Sequence, residues 1–507
     1  MRPGMRRGKV LRSGMAAGGL AGLLVLSACE VGPDYRRPDA PVPAAYKEST
    51  QQLPPAPAGW KWSEPQDQTD RGAWWTIFGD EQLDQLEHQV NISNQNVKEF
   101  EAQYRQAQAL LQEAKAQLYP TLSVSAGVQR GGGGGGASST SSSVGSSAAG
   151  APRTQYTVEP NLSWQPDVWG TVRRQIESSK ANVQVGAADL ANTQLSAQAT
   201  LAEDYFELRA ADSLQQLLTD SVAQYQRELE ITRNQFRAGT ASSGDVATSE
   251  TQLEQTQAQL VSVEQQRGTY EHAIAVLTGH LPAELTLASA PLTSSVPAVP
   301  PQLPSTLLER NPGIAAAERQ VQQESALIGV AVGAYYPQIS LSAIGGYAGD
   351  PLSKLFSTGS RIWSLAGTAS DKLFAGGAQV AAVDAAHANY DQAVATYRQT
   401  VLTAFQQVED QLLALRVLQQ QADLQAAAVK SAQTAETIAL NEFNAGTVPY
   451  TTVISAHQTT LAGEQTALTI QQNRLVASVT LIEALGGGWD ASRLSLDKPE
   501  RSTASSQ

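Results

Sequence analysis

The sequence repeats one long pattern twice, and the two copies lie about 207 positions apart in a chain of 507 residues. Phe236–Thr240 (FRAGT) returns as Phe443–Thr447 (FNAGT), and Leu118–Gly127 (LYPTLSVSAG) returns in similar form as Tyr335–Ile344 (YYPQISLSAI). A repeat that holds both helical and strand patterns indicates that a whole structural module was duplicated. The duplication favours a wall built from copies of one module over a single enclosed active site.

The N-terminal residues predict a secreted protein with a lipid anchor. Residues 1–28 combine a basic start with the apolar stretch Met15–Leu26, which is the pattern of a secretory signal peptide. That stretch is shorter than the roughly 20 apolar residues that a membrane-spanning helix needs. It runs into Leu26-Ser27-Ala28-Cys29, which resembles a bacterial lipobox, so Cys29 is predicted to carry a covalent lipid. The alternative is an ordinary signal peptide that ends near a cysteine.

Cys29 is the only cysteine of the chain, which excludes a disulfide within it. The lipid on Cys29 is the only prosthetic group that we expect. Glu30 follows the cysteine, whereas an aspartate there would favour retention in the inner membrane of a Gram-negative cell. The predicted location is therefore the outer membrane.

The charge balance argues against nucleic acid as a partner. The chain contains 35 Lys and Arg against 48 Asp and Glu, and five of the basic residues belong to the predicted signal peptide. Nucleic-acid binding depends on clustered Lys and Arg, so the acidic remainder fits a water-lined passage or a solvated surface better. Aromatic residues make up only 6% of the chain, which favours long helices packed through small side chains.

Two pairs of short segments alternate apolar and polar residues with a period of two, as half-buried strands do. One apolar and one polar face suit a sheet with lipid on one side and water on the other. Four strands cannot close a membrane barrel, whereas three chains supply twelve strands and leave no open edge. The alternative is a small soluble sheet packed on helices. The apolar positions are Leu122, Val124, Ala126 and Val128, then Tyr156, Val158, Leu162 and Trp164, then Ile339, Leu341 and Ala343, and finally Trp363 and Leu365.

Long helices are predicted after each strand pair, over Thr171–Phe236 and Ala378–Phe443, where roughly 65 residues pass without a proline. A helix of that length measures about 100 Å. Each predicted helix ends at an Ala-Gly-Thr turn, where Gly239 and Gly446 fit a left-handed C-cap. Apolar residues recur along the first helix at spacings of three and four, which is typical of a coiled coil. They are Leu201, Tyr205, Leu208, Ala211, Leu214, Leu218, Val222, Tyr225, Leu229 and Phe236.

The pattern divides the chain into six parts. Asp80 is the predicted N-cap of the first helix, and four tryptophans before it, Trp60, Trp62, Trp74 and Trp75, are predicted to anchor an extended segment. The parts are a signal peptide (1–28), an extended lipidated segment (29–79), a first repeat (80–285) with a β-hairpin at 121–164 and a long α-hairpin at 170–279, a Pro-rich linker (286–303), a second repeat (304–489) with a β-hairpin at 338–370 and a long α-hairpin at 376–486, and a flexible tail (490–507). The Gly/Ser tract that ends at Ser147 is predicted to form a flexible loop within the first β-hairpin.

These motifs, taken in order, resemble one known family. The lipobox followed by Val31–Pro38 (VGPDYRRP), the Tyr-Pro strand entries, the Ala-Gly-Thr turns and the ending Ala484–Trp489 (ALGGGW) are similar to outer-membrane factors of the TolC/OprM type, in the NodT lipoprotein subgroup. The resemblance covers residues 26–490. It implies a mainly α, internally duplicated fold with four strands per chain. In the implied trimer, a twelve-stranded membrane β-barrel continues into a twelve-helix periplasmic α-barrel.

The resemblance implies the outer-membrane channel of a tripartite efflux pump, a duct that conducts substrates passively. The expected partners are two further copies of the chain in a homotrimer, a periplasmic adaptor, an inner-membrane transporter of the RND type, and outer-membrane lipid. One alternative is a duct for type I protein secretion. Another, from a different class, is a lipoprotein that spaces the envelope without conducting.

The resemblance assigns the turns between the long helices to partner binding. Gly239 and Thr240 in the first copy, and Gly446 and Thr447 in the second, correspond to the ends that contact the adaptor. Helix capping alone is the other interpretation of the two glycines.

A periplasmic gate is implied at three positions next to these turns. Asp245 corresponds to an aspartate that helps to hold the gate shut, and Thr452 and Ser455 stand where relatives carry acidic residues. Because hydroxyl groups bind divalent cations far more weakly than carboxylates do, this departure predicts a weak block of the channel by divalent cations.

The remaining residues indicate neither an enzyme nor a metal site. No phosphate loop, nucleophile motif or dinucleotide-binding turn is present in the sequence. The acidic pairs Glu203-Asp204 and Glu409-Asp410 recur between the copies, and they fit either acidic rings in a lumen or solvated helix faces. Five histidines lack metal-ligand spacing and are interpreted as helix-surface residues. They are His88, His272, His280, His387 and His457.

Overall fold

The structure, a computed structural model, describes residues 30–43, 46–48, 72–131, 153–297, 307, 309–489 and 494. The chain divides into two compact units. Each unit takes matching pieces from both halves of the sequence, which agrees with the duplication. The first unit combines the segment up to Arg37 with Gln106–Val183 and Gln320–Val394, and the second combines Pro38–Arg105, Gln184–Arg319 and Ala395–Gln507.

The first unit contains an antiparallel sheet with the strand order β1-β2-β3-β4. Its strands are β1 (Thr121–Gly131), β2 (Arg153–Trp164), β3 (Gln338–Gly349) and β4 (Arg361–Ser370). Strands β1 and β2 pair with each other, as do β3 and β4, and β2 pairs with β3 between the two hairpins. The duplicated hairpins thus form one sheet, and the four predicted strands are confirmed.

Alternate apolar residues of the four strands share one face of the sheet. The register places Leu122 opposite Leu162, Leu162 opposite Ala343, and Ala343 opposite Leu365. The apolar side chains of the outer strands, β1 and β4, are exposed, and Trp363 is 78% exposed. A contiguous exposed apolar surface marks a site of contact with lipid or protein, and alternation across a sheet suits lipid.

The long helices keep the same lengths in both copies. The helices that follow the strand pairs, Thr171–Arg237 and Ala378–Asn444, have 67 residues each, and their return helices, Ser243–Leu277 and Tyr450–Ala484, have 35 each. Among the described residues no helix is both long enough and apolar enough to cross a membrane. The longer helices are α1 (Glu81–Ser93), α2 (Gln95–Ala116), α3 (Thr171–Arg237), α4 (Ser243–Leu277), α5 (Pro312–Gly333), α6 (Ala378–Asn444) and α7 (Tyr450–Ala484).

The apolar seam predicted along α3 is largely buried in the second unit. Leu201, Leu208 and Leu218 are almost completely covered, and the other members as far as Leu229 are buried except Leu214 and Val222, which are half-buried. Phe236, the last predicted member, is 48% exposed, so the prediction was wrong for this residue. It lies in the last turn of α3, where the helix ends and few neighbouring side chains remain to cover it.

Helix α1 begins at the predicted cap. Asp80 Oδ1 accepts hydrogen bonds from the backbone N–H groups of Gln82 (3.0 Å) and Leu83 (3.1 Å). These bonds satisfy two of the free N–H groups at a helix N-terminus. Just before the cap, Trp74 and Trp75 are buried in the apolar core of the second unit, where they act as the predicted anchors.

Several predictions fall on residues that the structure does not describe. They concern the signal peptide, the lipid on Cys29, Trp60 and Trp62, the Gly/Ser loop between β1 and β2, and most of the C-terminal tail. These stay predictions.

Candidate functional site: the two hairpin tips

The first hairpin tip, residues 238–242, joins α3 to α4. Gly239 has a φ of 78°, in the left-handed region where a residue with a Cβ is strained by roughly 1–2 kcal/mol. Its N–H donates to the carbonyl of Phe236 (2.9 Å), and the N–H of Thr240 donates to the carbonyl of Gln235 (2.9 Å). This pair of bonds is the Schellman motif, which satisfies carbonyls that the end of a helix leaves free.

The second tip, residues 445–449, ends α6 in the same way. Gly446 has a φ of 75° and donates to the carbonyl of Phe443 (2.8 Å), and the N–H of Thr447 donates to the carbonyl of Glu442 (3.0 Å). A Cβ built on either tip glycine meets no atom within 4 Å. Glycine is therefore required at these two positions by the left-handed backbone conformation and not by a lack of space for a side chain. Both predicted C-caps are confirmed.

The tip residues are open to contact. Gly239, Thr240, Gly446 and Thr447 are all exposed. Each threonine hydroxyl donates to the same carbonyl as its own N–H, at 3.1 Å in the first tip and 2.9 Å in the second. The threonines therefore reinforce the caps, and their predicted contact with an adaptor stays a prediction.

Helix α4 begins with a polar cap. The hydroxyl of Ser242 accepts from the N–H of Asp245 (3.2 Å), and the carboxylate of Asp245 accepts from the N–H of Ser242 (2.8 Å). The pair is a capping box. Hydrogen bonds from the backbone and the side chain of Ser242 lower the pKa of Asp245. At this predicted gate position the carboxylate is already engaged within its own chain.

Helix α7 begins with an aromatic contact instead. Its N-cap is Pro449, which offers no side-chain hydrogen bond. The buried ring of Tyr450 packs edge-on against Phe443, with 4.6 Å between the ring centroids. The second tip is therefore held by packing between the end of α6 and the start of α7.

The other two predicted gate residues lie on a neutral face of α7. Thr452 and Ser455 are exposed, and the Ser455 hydroxyl donates to the carbonyl of Thr451 (3.0 Å). Farther along the same face, exposed Thr459 and Thr466 also donate to the carbonyl four residues before them. These helical hydroxyls are thus satisfied locally, and the face presents no carboxylate near the tip.

Between the two α-hairpins the structure buries a polar cluster that the sequence analysis missed. His457 is 7% exposed, so its interpretation as a surface histidine was wrong, whereas the other four histidines are exposed as predicted. Its Nδ1 lies 2.9 Å from Oε1 of Glu436 on α6. The available signal was spacing, because His457 follows the apolar pair Val453 and Ile454 by four and three residues and so shares their buried face.

The segment just after Cys29 is pinned within the first unit. The guanidinium of buried Arg174, near the start of α3, donates to the carbonyl of Val31 (3.2 Å) and to Asp34 (2.9 Å). Gly32 has a φ of 101°, and a Cβ there would collide with the backbone of Gly329. The motif VGPDY thus has a physical basis in tight backbone packing around one buried arginine.

A later part of the N-terminal segment lies along α6 in the second unit. Glu409 accepts from the backbone N–H groups of Lys47 (2.7 Å) and Glu48 (3.0 Å), and Glu48 pairs with Arg416 (2.5 Å). The ring of Tyr46 is buried beside them. Glu409 therefore binds the backbone of a segment of its own chain, a role that neither of the two interpretations of the acidic pair included.

The matching acidic pair on α3 has different surroundings. Glu203 accepts from the hydroxyl of Thr480 (2.8 Å), and burial, together with Glu207 and Glu203, raises the pKa of Asp204 to about 6. Within the described ranges no group of three or more His, Cys, Asp or Glu side chains could hold a metal ion.

With this geometry established, comparison with known proteins identifies the family. The sequence profile described as "Outer membrane efflux protein" matches residues 86–280 and 303–487, one stretch in each repeat. The chain belongs to the outer membrane efflux protein family. The match covers most of the chain, and it confirms the resemblance on which the site predictions rest.

Relatives of this efflux protein align over nearly its full length. It is 29% identical over 483 residues to the solvent efflux pump outer membrane protein SrpC of Pseudomonas putida, covering 93% of this chain and 98% of the relative. It is 25% identical over 472 residues to the probable outer membrane lipoprotein SilC of Salmonella typhimurium, covering 92% and 97%.

Solved structures agree on the fold. The outer-membrane channel OprN matches with a TM-score of 0.80 at 27% identity, covering 91% of this chain and all of that one. The Campylobacter jejuni CmeC outer membrane channel matches with a TM-score of 0.81 at 23% identity, covering 92% and 96%. This efflux protein is therefore an outer-membrane channel component of an efflux pump.

Proposed function

We propose that this efflux protein acts as a homotrimer and forms the passive outer-membrane exit duct of a tripartite pump. The observation that carries the proposal is the four-stranded sheet, in which β1 and β4 each have a partner on one side only. In a bilayer every backbone polar group must find a partner, so a sheet with two open edges cannot stay alone. Pairing β1 of one copy with β4 of the next closes the sheet, and three copies supply twelve strands.

The division of the sheet into an apolar and a polar face supports the same arrangement. Apolar side chains such as Leu365 and Trp363 share one face, while the hydroxyls of Ser340 and Thr368 bond to each other across the strands on the other. That division places lipid outside and water inside a closed barrel. The covalent lipid on Cys29, the only cofactor in the proposal, adds a second membrane attachment.

The proposed partners are a periplasmic adaptor and an inner-membrane transporter of the RND type. The exposed tips at Gly239–Thr240 and Gly446–Thr447 are the proposed adaptor contacts, and Asp245, Thr452 and Ser455 form the proposed gate. The transporter supplies the energy and selects the substrate, so this chain needs no catalytic group. Relatives are named for solvent, toluene and antibiotic efflux, and small organic compounds are the first substrates to test.

Planar-bilayer recording on the purified full-length protein tests the channel. We expect discrete conductance steps, together with cross-linked trimers from the same preparation. A non-conducting envelope spacer gives no current at any voltage, and that result would overturn the proposal. Complementation of a deletion strain then separates the two kinds of duct, because an efflux duct restores solute tolerance and a type I duct restores protein secretion.

A pair of matched variants tests which face of the sheet meets lipid. Leu365→Lys places a charge on the proposed lipid face, where lysine near the bilayer midplane costs about 2–4 kcal/mol. Ser364→Lys, the neighbouring position on the opposite face, serves as the control. We expect Leu365→Lys to lower the amount of trimer in the outer membrane and Ser364→Lys to leave it unchanged.

A further inference from the structure

We propose that Glu228, Glu436 and His457, here called the lock cluster, form a proton-dependent lock between the two α-hairpins. The lock closes in mild acid and loosens as the pH rises. It rests on the proposed channel function, because hairpin packing can affect conductance only if the hairpins line or gate a duct.

The geometry of the lock cluster joins both hairpins. Glu228 belongs to α3, Glu436 to α6 and His457 to α7. Nδ1 of His457 lies 2.9 Å from Oε1 of Glu436, and the ring of Tyr225 on α3 packs edge-on against the imidazole at 4.8 Å between centroids. Any separation of the first hairpin from the second therefore exposes the histidine and breaks its packing on α3.

The lock cluster also contains buried polar atoms without hydrogen-bond partners, which is energetically unfavourable. Glu228 is 2% exposed, and neither of its carboxylate oxygens has a well-formed hydrogen bond among the described residues; the side-chain amide of Gln224 is the nearby donor. Nε2 of His457 is likewise buried without a partner in that part of the chain. A buried carboxylate without a donor is unfavourable, and adding a proton removes its charge.

The surrounding helices supply no competing cation. Besides Glu228, α3 contributes Tyr225, and α7 contributes Tyr450; burial and the charge of Glu228 raise the pKa values of both phenols, so they stay neutral. Helix α4 faces the cluster with the uncharged amide of Gln252, which bonds to Gln458. Among the described contacts of the cluster, no Lys or Arg pairs with either carboxylate.

The pKa shifts of Glu228 and Glu436 decide whether acid strengthens or weakens the packing between the hairpins. Burial raises the pKa of Glu228, and the nearby His457 offsets this only in part. The stability that a neutral Glu228 gives to the packed hairpins is therefore present in acid and lost as the pH rises through the raised value.

Glu436 determines how far the pH can fall before the lock weakens again. Burial acts to raise its pKa, but hydrogen bonds from Thr460 and His457 and the charge of His457 outweigh burial and leave the pKa below its ordinary value. Its contribution is lost only as the pH falls through that lowered value. The lock is thus strongest in mild acid, between the two transitions.

Hydrogen exchange on the full-length trimer tests the lock directly. Protection of α7 amides around His457 is compared in mild acid and above neutral pH, at about 5.5 and about 7.5, after correction for intrinsic exchange. We expect protection to be about tenfold higher in acid, a difference of about 1.4 kcal/mol. Equal corrected protection at the two pH values would overturn the proposal.

Two substitutions separate the roles of the groups. Glu228→Gln is nearly isosteric and permanently neutral, so we expect high protection at both pH values. His457→Gln removes the group that partly offsets the burial of Glu228 and lowers the pKa of Glu436, so we expect lower protection at both pH values, with the gain in acid from Glu228 still present. Exposed His272→Gln and exposed Glu254→Gln on α4 are the matched controls and should keep the wild-type response. A full pH response in Glu228→Gln, or its loss in His272→Gln, contradicts the lock.

Bilayer recordings at the same pH values connect the lock to function. The wild-type channel should open more often at the higher pH, and Glu228→Gln should remain mostly closed at both. Failure of the channel function and failure of the lock are distinguishable. A protein that never conducts but shows pH-dependent exchange refutes only the duct, whereas a conducting protein with pH-independent exchange refutes the lock.

Discussion

The two hairpin tips end their long helices identically and begin their return helices differently. Gly239 and Gly446 adopt the same left-handed conformation, and each precedes a threonine that bonds back to the helix. After that the copies diverge. Ser242 and Asp245 cap α4 with hydrogen bonds, whereas Tyr450 starts α7 by packing on Phe443.

The difference shows which parts of a duplicated module are constrained by the backbone. A reversal after a long helix needs a left-handed residue, and glycine meets that need with least strain, so both copies keep it. The start of the next helix can be stabilised either by a polar cap or by apolar packing. The consequence is visible at Phe236, which stays exposed because serine occupies the position equivalent to Tyr450.

The largest effect that tests this comparison is expected from Tyr450→Ala. Removal of a large buried side chain costs about 3 kcal/mol, so the start of α7 should fray while α4 stays intact. Hydrogen exchange in the first turns of both helices measures this. Tyr450→Phe keeps the ring and should change little, and Ser243→Ala is the matched control in the first tip. Equal fraying in Tyr450→Ala and Ser243→Ala would contradict the packing account.

The C-caps should respond alike in the two copies. Gly239→Ala and Gly446→Ala each force a Cβ into the left-handed region, at a cost of roughly 1–2 kcal/mol. Thermal unfolding followed by circular dichroism compares them. Gly268→Ala, inside α4 with open space beside it, should instead stabilise the helix by up to about 1 kcal/mol. Markedly unequal effects at the two tips would show that their caps are not equivalent.

A smaller and one-sided effect is expected from the polar cap. Ser242→Ala removes the hydroxyl that caps α4 and should destabilise that helix start by about 1 kcal/mol. Pro449→Ala, at the equivalent place before α7, removes no side-chain hydrogen bond and should have little effect. Local hydrogen exchange distinguishes the two, and equal losses would refute the capping difference.

The same cap predicts a pH dependence confined to the first tip. Hydrogen bonds from Ser242 lower the pKa of Asp245, so the stability it contributes is present above the ordinary carboxyl range. It is lost as the pH falls through the lowered value. After correction for intrinsic exchange, protection at the start of α4 should therefore decrease in strong acid, and Asp245→Asn should abolish the decrease. The start of α7 provides the internal control.

The smallest expected effect concerns divalent cations. Thr452 and Ser455 present hydroxyls in place of carboxylates, and that of Ser455 bonds within its own helix, so added magnesium or calcium should reduce the conductance only slightly. Thr452→Asp with Ser455→Asp should produce a stronger block, and Thr466→Asp, farther from the tip on the same face, is the control. Strong block of the wild-type channel would contradict the prediction.

Much of the fold could be predicted because its signals are local. Alternation at Leu122 and Val124 indicated strands, proline-free stretches indicated α3 and α6, and glycine after a long helix indicated the tips. Phe236 and His457 were misplaced for a common reason. Whether a helical position is covered depends on what packs against it from other elements, and that information lies far away in the chain.

The sequence by itself determined the duplication, the element types and the family, since all three depend on order and spacing along one chain. Only the tertiary structure showed that Glu409 holds the backbone of Lys47 and Glu48, that Arg174 pins the segment after Cys29, and that His457 meets Glu436 between two hairpins. These contacts join residues far apart in sequence. Their energies depend on burial and on missing or matched hydrogen bonds, which no linear pattern records.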